Sequence, residues 1–475
     1  MKAVLLATAA LLAPLPAFAQ DHSGHAMPGM DMPAPAPTPT PVPAPAPAPQ
    51  DHAGHAMPGM EMPAPAPTPA PAPQDHSMHD MGGMEGNDAG FMPTGTLRRS
   101  AAGSGTSLLP VPDRMRGGFH VPTGDWMLMA MGSASLAYTD QGGPRGEDAT
   151  YTANMAMFQA VRSWQGGTKL TFDTMLSLDA INGQRGYPNL FATGETAHGE
   201  PLVDRQHPHD LFMELTARLD LPLGGGVTGF VYGGPVGEPA LGPSAFVHRK
   251  SARYLPLSPI SHHWFDSTHI SYGVVTGGVT TSRFQIEASA FRGREPDEQR
   301  WDIETPKLDS WSLRASWTPS PDWVVQLSHG RLNDPEAMHA GQDENRTTAS
   351  VQYGGDNGLS AMLAFSAKDR VPGNTLTAWL AEVNWDLSRH HSLFGRIENV
   401  ANDELFPDHA DPLHDTKFRV TRFETGYAYR IPLSDKGEIA LGGSLAAYAK
   451  PAALDAAYGK APISYTLFAR LGLGM

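Results

Sequence analysis

Residues 311–330 read WSLRASWTPSPDWVVQLSHG. In an extended chain successive side chains point to opposite faces. Trp311, Leu313, Ala315 and Trp317 therefore share one face, while Ser312, Arg314 and Ser316 share the other. Ser320-Pro321-Asp322 supplies turn chemistry, and Trp323, Val325 and Leu327 then resume the apolar face. The stretch predicts a β-hairpin with an apolar side that ends in tryptophan and a polar side that carries a charge.

The same texture recurs on both sides of this hairpin. Sixteen such segments start near residues 126, 150, 167, 212, 225, 270, 282, 309, 322, 345, 358, 374, 390, 418, 436 and 464. Gly166-Gly167, Gly224 to Gly226, Thr281-Ser282 and Ser320-Pro321 mark tight connections, whereas 182–211, 237–269, 293–308 and 401–417 are long. An even strand count, with short turns alternating with long loops, predicts an all-β fold: an antiparallel transmembrane β-barrel of about 16 strands over residues 126–475. A soluble β-sandwich is the competing fold, but it seldom strings so many hairpins together or sets Trp and Tyr so often at segment ends. The last segment, SYTLFARLGLGM, keeps its alternation to the final residue, as the closing strand of an outer-membrane barrel does; such strands usually end in an aromatic, and Met475 departs from that. Arg314, Glu287, Glu382, Asp386, Arg396, Glu398, Arg422 and Glu424 fall on polar faces, which predicts a wet or salt-bridged lumen.

Composition narrows the function classes. The 475 residues contain no Cys, which removes disulfides, thiolate metal sites and thiol nucleophiles. A net charge of -15 argues against nucleic acid as a partner. A mean hydropathy of -0.30, with its long apolar run confined to the start, excludes a helical multi-span membrane protein.

That apolar run, MKAVLLATAALLAPLPAFAQ, fits a signal peptide over residues 1–19, with Lys2 ahead of the apolar stretch and Ala17-Phe18-Ala19 at the cleavage site. Residues 20–95 form a repeat. DHSGHAMPGMDM begins at Asp21, DHAGHAMPGMEM at Asp51, and the shortened DHSMHDMGGMEG at Asp75. The first two heads are joined to alternating Pro-Ala/Thr stalks, which favour solvated polyproline II at about 3.1 Å per residue. The heads are too polar to build a core and are expected to be disordered without a ligand.

The heads are rich in metal donors. The first offers His22, His25, Met27, Met30 and Met32; the second His52, His55, Met57, Met60 and Met62; the third His76, Met78, His79, Met81 and Met84. Neutral thioether sulfur selects Cu(I) or Ag(I), while imidazole also holds Cu(II) or Zn(II). Copper, chiefly Cu(I), is the expected metal because methionines dominate. The tail carries eight acids and no Lys or Arg, about half of the chain's net charge of -15. Residues 96–125 are expected as a linker.

Two His-rich stretches fall in the predicted loops. DRQHPHD holds His207 and His209; SPISHHWFDSTHIS holds His262, His263 and His269. His248 and Glu238 lie between them, in GEPALGPSAFVHR. Neither stretch has a zincin spacing. The plainest reading is that Pro-rich loops fold over the barrel mouth and pack these residues as hydrogen-bonders. A metal way-station formed by His207, His209, His262, His263 and His269 comes second. Catalysis comes last: Ser267 or Ser271 beside His269 is the one hydrolase candidate, with no G-x-S-x-G elbow, so no catalytic residue is assigned and the protein is not expected to be an enzyme.

With its signal peptide, DH(S/A)GHAMPGM(D/E)M repeats and C-terminal barrel, the chain resembles the outer-membrane copper-resistance proteins of Gram-negative bacteria, of the copper resistance protein B type. Its DRQHPHD, GEPALGPSAFVHR and SPISHHWFDSTH stretches look more like an uncharacterised barrel family from similar resistance settings. The resemblance implies an outer-membrane location with the tail in the periplasm. Copper sequestration, efflux or tolerance would follow, with the lipid bilayer, metal ions and periplasmic copper-handling proteins as partners. The alternative is a porin-like or structural barrel with a metal-buffering tail, and after it a lipid hydrolase.

Overall fold

The computed structural model describes residues 100–114 and 118–474. The expected signal peptide and the fifteen tail donors from His22 to Met84 lie outside the described residues.

Sixteen antiparallel strands close into a barrel. They are β1 (Trp126–Asp140), β2 (Asp148–Ser163), β3 (Lys169–Leu176), β4 (Phe212–Gly224), β5 (Val227–Gly237), β6 (Ser271–Thr280), β7 (Phe284–Phe291) and β8 (Ser310–Ser320). The second half comprises β9 (Trp323–Leu332), β10 (Asp343–Gly354), β11 (Leu359–Val371), β12 (Thr375–Asp386), β13 (His391–Asn402), β14 (Phe418–Ser434), β15 (Gly437–Ala449) and β16 (Ile463–Leu473). Each strand pairs with its sequence neighbour, and β16 closes onto β1 by pairing Leu473 with Gly132 and Tyr465 with Asp140. A short strand, Phe119–Thr123, pairs with the remaining length of β1, so it prolongs the β16 position from the other end. The Gly118 amide donates to the Gly474 carbonyl at 3.1 Å where these two pieces meet.

The hairpin at 311–330 forms as its alternation predicts. Trp311, Leu313, Trp317, Trp323 and Leu327 are exposed on the outer wall, whereas Ser312, Arg314 and Ser316 are buried in the lumen. The pattern continues round the circumference through Ile286, Leu363, Val383, Leu445 and Leu467, all exposed. Such a continuous outward apolar surface is stable only against lipid. Aromatic side chains flank it: Trp323 packs on Tyr353 near the short turns (4.8 Å between centroids), and Tyr138 on Tyr465 near the long loops (6.2 Å). Gly224, Gly225 and Gly226 all take positive φ in the β4–β5 turn, a conformation that side chains with a Cβ seldom adopt.

Loops 177–211 and 238–270 fold into the lumen. They carry an apolar cluster, in which Leu190, Phe191, Trp264 and Phe265 pack against Leu376, Leu380, Val400 and Val420 of the wall. Of the wet or salt-bridged lumen expected from the inward charges, the salt-bridged form is found, with apolar loop packing added to it. Arg314 binds Glu287 at 2.9 Å, and Arg422 binds Glu424 at 2.9 Å, with all four side chains buried.

Residues 100–114, expected as part of a linker, lie within the barrel instead. Arg314 Nη2 and Gln285 Nε2 donate to Thr106, the Ser104 amide donates to Ser244 Oγ at 3.0 Å, and Ser360 Oγ donates to Asp113 at 2.5 Å. Small polar residues without periodicity read as linker, yet here they complete the hydrogen bonding of Arg314 and Gln285, wall side chains that also bind Glu287.

Candidate functional site

Loop 238–270 leaves β5, crosses the lumen and is fastened to the far wall. Arg249 makes a bidentate pair with Glu382 of β12, Nε to Oε2 at 2.9 Å and Nη2 to Oε1 at 3.0 Å. Ser261 donates through its amide (3.0 Å) and hydroxyl (2.8 Å) to Glu398 of β13, and Arg396 donates to the Leu257 carbonyl at 3.0 Å. Arg253 and Tyr254 both reach Glu438 of β15, at 2.9 and 2.7 Å. A cavity of about 200 Å³ remains between this loop and the inner faces of β1 and β2, lined among others by Asp113, Ser133, Asn154, His209, Arg253 and Arg470.

The loops bring the two His-rich stretches together beside this cavity. His207 lies 5.7 Å from His262 and 5.6 Å from His263 between ring centroids; His269 lies 5.2 Å from His209 and 5.1 Å from His262. All five rings are buried. Burial pushes His262 down to about 4 and holds His269 well below its ordinary value. His207 is also held well below, first by burial and then by the neighbouring Arg300 guanidinium. These three imidazoles, His207, His262 and His269, are thus neutral at neutral pH, the form that ligates metals.

Carboxylates hold several of these rings. Asp179 Oδ2 meets His209 Nδ1 at 2.8 Å, and Glu295 Oε1 meets His263 Nδ1 at 3.1 Å. The Asp266 carbonyl meets His269 Nδ1 at 2.5 Å. A ring fixed through Nδ1 presents Nε2, as metal-ligating histidines commonly do. Glu195, His207 and His263 place one donor atom each within 4.8 Å of one another. Glu195 Oε2 is bound by Arg300 at 3.2 Å, which leaves Oε1 3.5 Å from His207 Nε2. Burial lifts Glu195 to about 7, against the lowering effect of Arg300. Two imidazoles and one carboxylate suit a borderline divalent ion such as Cu(II) or Zn(II). The adjoining group of Glu336, His339 and Glu404 differs, because Lys368 and Arg370 already neutralise its acids.

The five loop histidines singled out from sequence therefore converge, and most are also hydrogen-bonded, so packing and ligation are not exclusive here. The hydrolase arrangement does not form. Ser267 Oγ accepts from Arg346 Nη1 at 2.6 Å, Ser271 Oγ donates to the Thr268 carbonyl at 3.1 Å, and His269 Nδ1 is held by Asp266. Glu195, Glu295 and Arg300 were missed by sequence reasoning, since each sits in a loop without a motif; only their acid or base character could have marked them.

No protein-family model and no curated protein matches the chain. Solved structures do. The chain is similar to an anion-selective porin from Comamonas acidovorans at 12% identity, covering 73% of this chain and 100% of that one, with a TM-score of 0.45. It is similar to OprB of Pseudomonas putida at 9%, covering 74% and 94% (TM-score 0.45), and to Salmonella typhi OmpF in complex with daunomycin at 7%, covering 74% and 100% (TM-score 0.46).

Proposed function

We propose that the protein is a porin-like barrel of the outer membrane, whose passage its own loop narrows to ions and small polar solutes. The observation that carries this reading is loop 238–270, fastened across the lumen by Arg249–Glu382 and its companions, which leaves a cavity of about 200 Å³. The outward apolar wall supports the membrane location, and the short-turn end, where both ends of the barrel sequence meet, faces the periplasm on this reading. Liposome swelling with sugars of increasing size tests it. Uptake of small solutes with exclusion of disaccharides is expected; free passage of disaccharides would contradict a narrowed lumen.

A second reading is favoured by the convergence of His207, His209, His262, His263 and His269. In it the His/Met tail captures copper in the periplasm and the loop histidines provide a further seat, in copper sequestration, efflux or tolerance. Deleting residues 21–92 would then lower copper tolerance; unchanged tolerance and efflux would leave only the porin-like reading.

A further inference from the structure

Nine methionines fall among the described residues, and six of them lie buried on adjoining strands of the lumen wall in two clusters, Met129, Met131 and Met157 in one and Met155, Met175 and Met213 in the other. Elsewhere the same inner face carries mainly Arg, Glu, Gln, Ser and Thr. Strand register sets the two clusters side by side in one patch. Met131 of β1 pairs with Met157 of β2, and Met157 pairs with Met175 of β3. Met175 in turn pairs with Glu214 of β4, where a register shift between Phe212 and Glu214 allows Met213 and Glu214 both to be buried. Such a bulge re-aims one side chain without breaking the wall.

The upper end of the patch meets the histidines. Met175, Met213, His248 and His269 surround a void of about 10 Å³, with Ser104, Gly105, Glu214, Glu238 and Ala245 completing its lining. His248 and His269 are 4% and 6% exposed, and the Nε2 atom of each is without a hydrogen-bond partner. A buried imidazole nitrogen left unpaired is costly, so two of them beside one void ask for an occupant. Glu214 Oε1 is already engaged by Tyr232 and Thr216, at 2.8 and 3.0 Å. Besides the carboxylates of Glu214 and Glu238, the lining offers two thioethers and two imidazoles, and it is the paired thioethers that favour a soft monovalent d¹⁰ ion over a hard divalent one.

We infer that Met175, Met213, His248 and His269 form a seat for Cu(I) or Ag(I), with Met131 and Met157 continuing a thioether row down the lumen wall. The seat's donors differ from those of the Glu195–His207–His263 group, whose carboxylate suits a divalent ion, although His269 borders both voids. The inference rests on the copper reading only for which soft ion the cell would supply; the seat itself stands whether or not the tail acts in tolerance.

Crystals of the full-length protein soaked in silver nitrate, measured for anomalous scattering from silver, test the seat directly. A peak between the two sulfurs and the two Nε2 atoms is expected. Equilibrium dialysis of the full chain should then show about one Ag(I) fewer per chain in M175L/M213L, a near-isosteric change, with the tail sites unchanged in both proteins. Silver confined to the tail, or seated at Glu195 and His207 instead, would overturn the proposal, and the wild-type soak gives that answer even if the variant fails to fold. Copper tolerance after tail deletion tests the copper reading separately.

Discussion

Arg249 and Glu382, 133 residues apart in sequence, meet inside the barrel in a bidentate ion pair at 2.9 and 3.0 Å, each side chain essentially inaccessible to solvent. Glu382 is an inward residue of β12, and Arg249 belongs to the loop that β5 sends across the lumen, so the pair ties that loop to the wall. Arg249 also pairs with Asp266 at 3.3 Å and Glu382 with Arg396 at 3.6 Å, so each single removal strips a buried charge of its shortest ionic contact within a shared network. R249A/E382A is therefore expected to lose less stability to urea than the sum of R249A and E382A. Additive losses in this double-mutant cycle would contradict the pairing.

The outer wall makes an equally direct prediction. Leu313 and Leu467 stand exposed on the lipid side of β8 and β16. L313R or L467R is expected to cost about 2–4 kcal/mol of folding stability in vesicles if its position is near the bilayer midplane. Ser312 beside Leu313 faces the lumen, so S312A should be close to neutral. Equal penalties at the two neighbouring positions would contradict the assigned faces.

Much of this wall was legible from residue alternation alone. The starts expected near 309 and 322 correspond to β8 at Ser310 and β9 at Trp323, and those near 358 and 436 to β11 at Leu359 and β15 at Gly437. Period-two patterning is a local signal, and one apolar face toward lipid fixes register strongly. The lumen was not legible in that way. Whether a loop arches outward or folds inward depends on partners such as Glu382 and Glu438, more than 130 residues from Arg249 and Arg253, and nothing local encodes those encounters. Residues 100–114 read as linker for the same reason. Met131, Met157 and Met175 drew no notice in the sequence, because their cross-strand register becomes meaningful only once the strands are paired.

Asp113 gives the N-terminal segment a pH dependence. Burial lifts its carboxyl from 3.8 to about 7, with the Ser360 hydrogen bond and the Lys250 charge acting in the opposite direction. The folded state thus holds the proton more tightly than the unfolded state. Its contribution is fully present below pH 3.8 and is lost as pH rises towards 7. Hydrogen exchange in residues 100–114, corrected for intrinsic rates, should show weaker protection at pH 8 than at pH 5, and D113N should remove that difference. Stronger protection at pH 8 would reverse the assignment.

At the divalent group, Glu295 orients His263 through Nδ1. If Cu(II) or Zn(II) binds Glu195, His207 and His263, H263A should abolish that binding, and E295Q should weaken it about 10–100-fold. Titration of the full chain against a competing chelator reads both. Equal affinity in wild type and E295Q would show that Glu295 has no orienting role.

For the tail, a peptide spanning residues 21–32 is expected to bind Cu(I) ahead of Zn(II), and to lose that preference when Met27, Met30 and Met32 become Leu. Tight Zn(II) binding indifferent to those changes would remove the copper assignment for the repeat.

Single-channel conductance in planar bilayers tests the narrowed lumen most directly. Wild-type protein is expected to give small, steady conductance steps, and R249A/E382A, which removes the ion pair that ties loop 238–270 to β12, should give steps several-fold larger. Equal conductance in the two proteins, or no conductance in either, would contradict the account of a passage set by its own loop.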